Sequence, residues 1–541
     1  MRKQLTFLLA LPAALLLPSL SIAQSTFDGG PDGTGTDWET AANWDGDVLP
    51  AGEQPGGNPN IGEFAVTLTS DQSVGELDLV GDQTSGTGIL NHSAGTLTSA
   101  GNWLKVGGAG NDGTYNLSGS AVYDGIGFDG PTLAFIGFAG GTGTLNLSDS
   151  ASLSAPGETG LRLAAEQDGS TGILTISDTA SVNVGSFNSG GGAGATATVN
   201  QTGGTLTSNT WVVLGNFGAN GTATYNISGG TVSATGGNLA VGQEGTGTLN
   251  VSGTAVVEQA IVDTSAIFVG GIDDNGFIQD GTGTLNITGS TASVSGVGVG
   301  LRVASTAVSA GTLSWTADAG GVTPIVSGGD TLFGPGTSTL VLDLSADSAS
   351  ATAGTEYLLV DNSAAVTGTF TDLPEGALIR VVGTGIPPDG NCSISYVGGT
   401  DGFDIVATVV GGGAVLGDFS GDGIVDCDDI DLFAGTFGSV AEGSPASRDL
   451  TGDGTVDMAD ALELIQMLVV TSPNGRTGTF VGDLNCDGSV DVLGDAFILV
   501  ANLGTSSGAV YTDGDLNFDG AVTVLGDAFA FVANLNSTNE S

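Results

Sequence analysis

The stretch Gly245-Thr246-Gly247-Thr248-Leu249-Asn250-Val251-Ser252-Gly253-Thr254-Ala255-Val256-Val257 decides the fold, because it is one copy of a unit that recurs along the chain. Its core alternates apolar and polar residues and is bounded by glycine, which is typical of a short β-strand and not of a helix. The equivalent cores of the other copies lie at residues 90–93, 115–118, 145–148, 174–177, 199–202, 225–228 and 285–288. Successive copies are 24 to 36 residues apart, and a repeat of this length predicts a stacked solenoid.

Two further short apolar runs complete each unit. One resembles Leu239-Ala240-Val241-Gly242 and the other resembles Gly230-Thr231-Val232-Ser233. Three strands and three turns in about 25 residues predict a mainly β protein built on a right-handed parallel β-helix, rising by about 4.8 Å per turn. We expect the β-helix to span residues 65–310, with Leu249, Val251 and their counterparts pointing inward. The longest unit contains Asp273-Asp274-Asn275, which predicts an insertion at a turn.

The segments on either side of the repeats predict a leader and two caps. A basic start and the apolar run that ends at Ser21-Ile22-Ala23 predict a secretory signal peptide over residues 1–23, and hence an extracellular or cell-surface protein. Trp38 and Trp44 predict an N-terminal cap over residues 24–64, whose aromatic rings cover the first turn of the solenoid. Residues 311–410 lose the period, and their strands predict an antiparallel, β-rich cap that shields the far end.

The composition restricts the kind of partner. With 8 basic and 58 acidic residues, the chain has a formal charge of −50, which excludes nucleic acid because phosphate binding needs clustered cations. Beyond the leader, no apolar run reaches the ~18 residues of a membrane-spanning helix, so we predict no membrane span. The three cysteines, Cys392, Cys427 and Cys486, are too few for a disulfide scaffold, and their odd number leaves at least one unpaired in a monomer.

Four acidic loops, which follow a glycine linker at residues 411–413, carry the chemistry that the sequence predicts. The first two place oxygen-bearing side chains at positions 1, 3, 5, 9 and 12 and glycine at position 6, which is the EF-hand pattern for calcium. In the third and fourth loops the last acid falls one residue later, and threonine replaces the ninth-position acid of the fourth. The residue at position 7 supplies its backbone carbonyl. The predicted Ca²⁺ ligands are Asp418, Ser420, Asp422, Ile424, Asp426 and Asp429; Asp449, Thr451, Asp453, Thr455, Asp457 and Asp460; Asp483, Asn485, Asp487, Ser489, Asp491 and Asp495; and Asp515, Asn517, Asp519, Ala521, Thr523 and Asp527.

An apolar helical run follows each loop, and no helical pattern precedes one. A calcium loop followed by a helix resembles dockerin type I repeats, here within residues 411–541 and arranged as two pairs, 418–470 and 483–538. The resemblance implies calcium-dependent docking onto a cohesin-like protein. Just before the helices, where dockerins usually carry Ser/Thr pairs, this chain has Cys427-Asp428, Met458-Ala459, Val492-Leu493 and Val524-Leu525.

The repeat region also resembles a known family. Its Gly-Thr-Gly-Thr-Leu-Asn-Val-Ser-Gly units and the Trp38…Asn43-Trp44 entry resemble autotransporter-associated β-strand repeats, whose passenger regions form parallel β-helices. The resemblance covers about half of the chain and implies the fold.

Three features of the repeats have a structural and a functional interpretation. We expect the single histidine, His92, to be structural, and the Asn-x-Ser/Thr triplets at residues 116, 146, 226, 250 and 286 to be ladder asparagines and not glycosylation sites. Lys105, Arg162 and Arg302 are predicted to lie along one outward stripe. Some β-helix lyases use such a cation together with calcium, but Arg162 and Arg302 are five turns, or roughly 24 Å, apart.

These observations predict a secreted, non-catalytic β-solenoid of the cell surface or matrix. A calcium-dependent dockerin-like module would attach it to a cohesin-like protein or to a polysaccharide. The alternative is an extracellular polysaccharide-active enzyme, a lyase or hydrolase, tethered by the same module. Clustered carboxylates, or a calcium–carboxylate–arginine group, in the groove of the solenoid would favour the enzyme.

Overall fold

The protein is a parallel β-solenoid of about nine turns, as seen in a computed structural model. The structure describes residues 25–50, 59–79, 86–99, 103–125, 133–156, 160–165, 169–216, 221–260, 265–274, 277–296, 298, 300–347, 354–381, 391–410, 419, 427–434, 450, 456, 458–467, 481–485, 490–492 and 494–535. Over these residues, three long sheets of 11, 14 and 12 strands run along the solenoid, and each turn gives one strand to each sheet. We call them sheets I, II and III.

The strands of sheet I contain the asparagine repeat, and most of them are six or seven residues long. They are Ala65–Leu68, Thr87–His92, Asp112–Leu117, Thr142–Leu147, Thr171–Ile176, Thr196–Gln201, Thr222–Ile227, Thr246–Val251, Thr282–Thr288, Ala310–Thr316 and Thr337–Asp343. All neighbouring pairs in this sheet are parallel. The sheet therefore stacks the repeat cores in register.

Sheets II and III complete each turn. The strands of sheet II, in chain order, are Gln72–Val74, Thr96–Ser99, Val122–Gly125, Ser152–Ala155, Ser181–Val184, Thr205–Ser208, Thr231–Ala234, Val256–Gln259, Ser293–Gly296, Ile325–Ser327, Glu356–Asn362, Leu378–Arg380, Asn391–Gly398 and Asp404–Val409. Those of sheet III are Ser25–Thr26, Pro59–Asn60, Leu77–Leu79, Trp103–Val106, Leu133–Phe138, Leu161–Ala165, Phe187–Gly191, Val212–Leu214, Leu239–Val241, Ala266–Val269, Gly300–Val303 and Asp330–Phe333.

The alternation of the sequence sets which side chains fill the solenoid. Leu249 and Val251 are 2% and 1% exposed, so the predicted inward positions are confirmed. Burying such a side chain stabilises the fold by about 1.5–3 kcal/mol, and the stack repeats this at every turn. Glycine follows many sheet III strands for a steric reason: Gly242, directly after Leu239–Val241, has φ +74°, and a Cβ there would lie 2.0 Å from the carbonyl oxygen of Thr282.

The first turn is covered by aromatic rings, as the sequence predicts. Trp38 and Trp44 are fully buried and pack edge to face with ring centroids 4.8 Å apart. Trp44 Nε1 donates to the carbonyl of Trp38 at 2.9 Å, and Phe27 packs against Trp44 from the other side. These rings belong to the same apolar core as the solenoid interior and close its first turn.

At the C-terminal end of the solenoid, one expectation from the sequence is wrong. The strands Thr337–Asp343 and Glu356–Asn362 were expected to be antiparallel, but they pair in parallel with Ala310–Thr316 and Ile325–Ser327. Antiparallel pairing begins only where Asp404–Val409 joins Glu356–Asn362, and it continues through the last strands of sheet II. Strand pairing depends on contacts between residues that are distant in sequence. The parallel stack can therefore continue beyond the last recognisable copy of the repeat motif.

The predicted insertion is a hairpin outside the solenoid. Strands Ile272–Asp274 and Phe277–Gln279 pair in an antiparallel manner. Ile272 joins Val213, Ala240, Ala266 and Phe268 in a separate apolar cluster on the outer face of sheet III. The longest repeat unit therefore covers part of the outer surface.

Among the described residues after the solenoid there are four helices: α1 (Cys427–Ala434), α2 (Met458–Met467), α3 (Asp495–Asn502) and α4 (Phe529–Asn534), the last preceded by a π-helical turn at Val524–Ala528. They pack around one apolar cluster that includes Phe433, Leu464, Leu499 and Phe531. We call the described residues from 419 onward the C-terminal module. Within the described part of the chain, no helix combines the length and apolarity needed to cross a bilayer.

Candidate functional site

The predicted calcium ligands divide into described and undescribed residues. Those outside the described residues are Asp418, Ser420, Asp422, Ile424, Asp426, Asp449, Thr451, Asp453, Thr455, Asp457, Asp487 and Ser489. The fourth loop is described throughout, and the third loop is described at both ends. The site is therefore built from these two loops and from the first turns of the helices.

Four aspartates have the same place in the module. Asp429, Asp460, Asp495 and Asp527 lie at the start of the helical segments, and all four are 0% exposed. A carboxylate in the first turn of a helix is favoured by the helix dipole and by the free N–H groups there. The sequence predicted these residues as the last ligands of the four loops, and in the structure all four are buried in the module, as are the opening acids Asp483 and Asp515.

Asp527 closes the fourth loop by accepting backbone N–H groups. Its Oδ1 accepts from Leu516 at 2.9 Å and from Asn517 at 3.2 Å, and its Oδ2 accepts from Thr523 at 2.7 Å. Hydrogen bonds to a charged acceptor are roughly twice as strong as neutral ones. Asp527 thus ties the start of the loop to the start of the helix, whether or not it also contacts a cation.

The third loop repeats this arrangement. Asp495 Oδ1 accepts from Leu484 at 2.7 Å and from Asn485 at 3.1 Å, and Asp495 Oδ2 accepts from Asp491 at 2.8 Å. The shift of the last acid by one residue is therefore a shared feature of both loops, with a common structural role.

Asp491 and Thr523, predicted as ninth-position ligands, have a second role in the structure. Asp491 Oδ1 accepts from the N–H of Gly494 at 2.7 Å, and Thr523 Oγ1 accepts from the N–H of Gly526 at 2.9 Å. Thr523 is thereby the N-cap of the π-helical turn, and Asp491 makes a bond over the same three-residue spacing just before α3. The EF-hand spacing that marks these two residues as ligands does not by itself reveal these backbone contacts.

The opening acid of the fourth loop lies in a strained electrostatic environment. Asp515 is 1% exposed, and its oxygens accept from the N–H groups of Asp519 and Gly520 at 3.1 and 2.7 Å. Burial raises the pKa of Asp515, and the negative charges of Asp527 and Asp519 raise it further, although the two hydrogen bonds act in the opposite direction. A bound cation would relieve this repulsion.

The donor chemistry of the fourth loop is entirely oxygen, as calcium requires. Over the residues that the structure describes, however, no three His, Cys, Asp or Glu side chains converge into a group that could hold a metal ion. In loop four, Asn517 Nδ2 donates to Asp519 at 3.0 Å, and Asp519 also accepts the N–H of Ala521 at 2.9 Å. The predicted ligands are adjacent, and they bond to one another and to the loop backbone.

One core joins the two predicted pairs of loops. Phe433 of α1 packs edge to face on Phe518 of the fourth loop at 5.8 Å, and Asp431 accepts the N–H of Thr512 at 3.0 Å. The Tyr511 hydroxyl accepts the N–H of Gly482 at 3.0 Å. The module is therefore held together across both pairs.

The third and fourth helices present an apolar surface to solvent. Phe497 and Val500 of α3 are 64% and 67% exposed, and Phe529 and Val532 of α4 are 65% and 64% exposed. Each pair lies at the same two positions of a repeated sequence, 32 residues apart. The exposure therefore recurs with the repeat and is not confined to one isolated side chain. We call these four residues the apolar face. The sequence shows the repeat, but only the fold shows that these side chains are left uncovered.

The predicted outward stripe is confirmed, and its cations have local roles. Strand register places Lys105, Arg162 and Arg302 in one column of sheet III, with five turns between the two arginines. Arg302 pairs with Asp330 at 2.8 Å, and Lys105 Nζ lies over the ring of Trp103 at 5.3 Å. The enzymatic alternative stays a prediction.

His92 and Cys392 are buried in the core. The His92 Nε2 atom lies 3.1 Å from the carbonyl of Gly95, so Nε2 carries the proton and Nδ1 accepts from the Tyr115 hydroxyl at 3.0 Å. Burial lowers the pKa of His92. Cys392 is a free thiol whose pKa burial raises to about 12, so it is unreactive at neutral pH.

The repeated asparagines form side-chain ladders on the outer face of sheet I. In one ladder, Asn226 Nδ2 donates to Asn200 at 2.9 Å, Asn250 donates to Asn226 at 2.7 Å, and Asn286 donates to Asn250 at 2.7 Å. A second ladder joins Asn146 and Asn116 to Asn91. The nitrogen that a glycan would occupy is thus engaged at every triplet, in agreement with the structural interpretation.

The fold and the site define a class: a parallel β-solenoid protein with a C-terminal module of short helices behind acidic loops. No protein-family model, no curated protein and no solved structure matches this chain. The likeness to dockerins and to autotransporter-associated repeats therefore supports a proposal and does not establish a family.

Proposed function

We propose that this protein is a secreted, non-catalytic solenoid of the cell surface or matrix, and that its C-terminal module attaches it to a protein partner in a calcium-dependent manner. The observation that carries the proposal is the pairing of two features in loops three and four. Each loop is closed by a buried aspartate, and each following helix exposes the same two apolar positions. A loop that positions a helix and a helix that presents an apolar face form one docking unit.

Calcium would be held by oxygens that the sequence supplies at a regular spacing. In loop four these are the carboxylates of Asp515 and Asp519, the amide oxygen of Asn517, the carbonyl of Ala521 and the Thr523 hydroxyl. The cation would neutralise the charges that raise the pKa of Asp515. Because the helices are only six to ten residues long, they depend on the loops for their stability.

The partner would bind the apolar face. Phe497 and Phe529 are large and exposed, and aromatic side chains are frequent anchors at interfaces. Leu525, beside them in sequence, is 84% exposed. The helices carry no lysine or arginine, so the contact would be mainly hydrophobic. This differs from the usual composition of dockerins and favours a protein partner with an apolar docking surface over a typical cohesin.

The test uses the full-length protein and an envelope or matrix fraction of its source cells. We expect the protein to be retained on this fraction in calcium and released by a chelator. The double variant Phe497→Ser, Phe529→Ser should lose retention by tenfold or more, since each truncated hot spot typically costs about 2 kcal/mol or more.

A matched control is Glu463→Ala, which removes an exposed side chain from α2 and should leave retention unchanged. Calorimetry must show calcium binding to the double variant, which would separate loss of docking from loss of the metal. Retention that is the same in calcium and in chelator would contradict the proposal.

A further inference from the structure

The outer face of sheet I is a regular array of small polar side chains. In each of its longer strands, residues 1, 3 and 5 point outward: in Thr246–Val251 these are Thr246, Thr248 and Asn250, while the residues between them are buried. Strand register aligns these positions into three columns. In four consecutive strands, from Thr196–Gln201 to Thr282–Thr288, the three positions are threonine, threonine and asparagine without exception. We call these columns the hydroxyl face.

The hydroxyl face is long and rigid. The ten strands from Thr87–His92 to Thr337–Asp343 span about 43 Å at about 4.8 Å per strand, and neighbouring columns lie about 6.7 Å apart. Threonine fills the middle column in eight of these ten strands. Threonine is stiff at χ1, and the asparagine ladders fix the third column. The face is thus ordered before any ligand arrives.

The charge and chemistry of the face indicate an uncharged ligand that is rich in hydroxyl groups. Of the thirty positions in the three columns, only Asp112 is charged, and Asp343 lies at the next outward position of the last strand, whereas the chain as a whole carries −50. An anionic polymer would be repelled by the rest of the protein, and a cationic one would find only these two carboxylates along the face. Each threonine offers a hydroxyl and a methyl group, and each ladder asparagine keeps one N–H and one acceptor lone pair.

We propose that the hydroxyl face binds an ordered, neutral polysaccharide in an extended form. Sugar hydroxyls would bond to the threonine and asparagine side chains, and sugar C–H groups would contact the threonine methyls. A ligand that meets every turn of the solenoid in the same way must itself repeat at about the strand spacing, and an extended hexose chain advances by a similar distance per sugar. The face carries no aromatic side chain, so binding would depend on many weak, aligned contacts, which only a polymer can provide together. This inference stands apart from the proposed attachment through the C-terminal module.

The experiment measures depletion of the full-length protein from solution by microcrystalline cellulose, chitin and insoluble β-1,3-glucan. We expect at least one of these solids to bind the protein equally in calcium and in chelator. The triple variant Thr224→Val, Thr248→Val, Thr284→Val removes three hydroxyls from one column and keeps β-branched side chains, so the strands should fold. It should bind about tenfold or more weakly, since it loses several hydrogen bonds at once.

The matched control is Thr205→Val, Thr207→Val, Thr231→Val, which makes the same chemical change on the outer face of sheet II and should bind as the wild type does. Circular dichroism must show the same β signal for both triple variants. Binding to none of the solids, or equal binding by both triple variants, would overturn the proposal. Binding lost in chelator would assign the contact to the C-terminal module instead. Incorporation into growing ice without binding to any polysaccharide would also overturn the proposal and would assign the face to ice.

Discussion

The carboxylate of Asp527 accepts the backbone N–H of Leu516 at 2.9 Å, across eleven residues of a loop that the sequence predicts to bind calcium. Asp495 makes the same bond to Leu484 at 2.7 Å. These two bonds show that the displaced acids of loops three and four hold their own loops closed.

Asp527→Ala should destabilise the C-terminal module by about 3 kcal/mol, because it leaves one buried and two half-buried backbone N–H groups without an acceptor. Hydrogen exchange in saturating calcium should show lost protection at Leu516, Asn517 and Thr523. Asp495→Ala should have the same effect on loop three. If these amides exchanged no faster in Asp527→Ala than in the control variant Glu463→Ala, Asp527 would not have the loop-closing role.

The calcium sites should divide into two classes of affinity. Loops one and two have acids at positions 1, 5, 9 and 12, whereas loops three and four use their displaced acids to bind the backbone, and loop four has threonine at position 9. Fewer available charges weaken a calcium site. Calorimetry should therefore resolve tighter sites in loops one and two. Four equal sites, or loss of the tightest site in Asp515→Ala, would contradict this prediction.

Removal of calcium should unfold the helices and leave the solenoid intact. The helices are short, and within loop four the negative charges of Asp527 and Asp519 act against the ionised form of the buried Asp515 when no cation is bound. Chelation should abolish the helical circular dichroism signal and open residues 411–541 to protease, while the β signal persists. Helices that survive excess chelator would show that the module folds without metal.

The solenoid should lose stability in mild acid through His92. Burial lowers the pKa of His92, so the unfolded chain takes up a proton at a higher pH than the folded protein does. The contribution of His92 is complete above the unfolded pKa, about 6.5, and is lost as the pH falls below it. The test variant is His92→Gln. Gln201 occupies the equivalent inward site of a later turn, where its side-chain oxygen accepts from the Tyr225 hydroxyl at 2.5 Å, so glutamine suits this position. Between pH 7.5 and pH 5.5, the melting temperature of the wild type should fall by more than that of the variant. Equal falls in melting temperature would exclude His92 as the cause.

Breaking the asparagine ladder in the middle should cost more than breaking it at the end. Asn226→Ala removes two side-chain hydrogen bonds, and Asn286→Ala removes one. At about 1 kcal/mol per bond, the losses should be about 2 and 1 kcal/mol. Urea unfolding followed by the β signal checks both values. Equal losses would mean that the ladder bonds do not contribute to stability.

The repeat could be predicted from the sequence because a solenoid uses the same short-range pattern at every turn. Leu249 and Val251 alternate with polar residues, and this alternation alone indicates a strand and its inward side. The insertion at the longest unit and the aromatic cover at Trp38 and Trp44 were predictable for the same reason, since a break in period and a tryptophan pair are local signals.

The sequence by itself determined the repeat, the alternation of inward and outward residues, and the oxygen-rich loops with glycine at their sharp turn. Only the tertiary structure decided that the parallel stack continues to Glu356–Asn362, that Asp495 and Asp527 give their oxygens to backbone N–H groups, and that Phe497 and Phe529 remain exposed. The physical reason is the range of the interactions. Strand type, turn and loop chemistry depend on residues that are close in sequence. Pairing partners, burial of a carboxylate and exposure of an apolar side chain depend on which distant parts of the chain come to lie against each other.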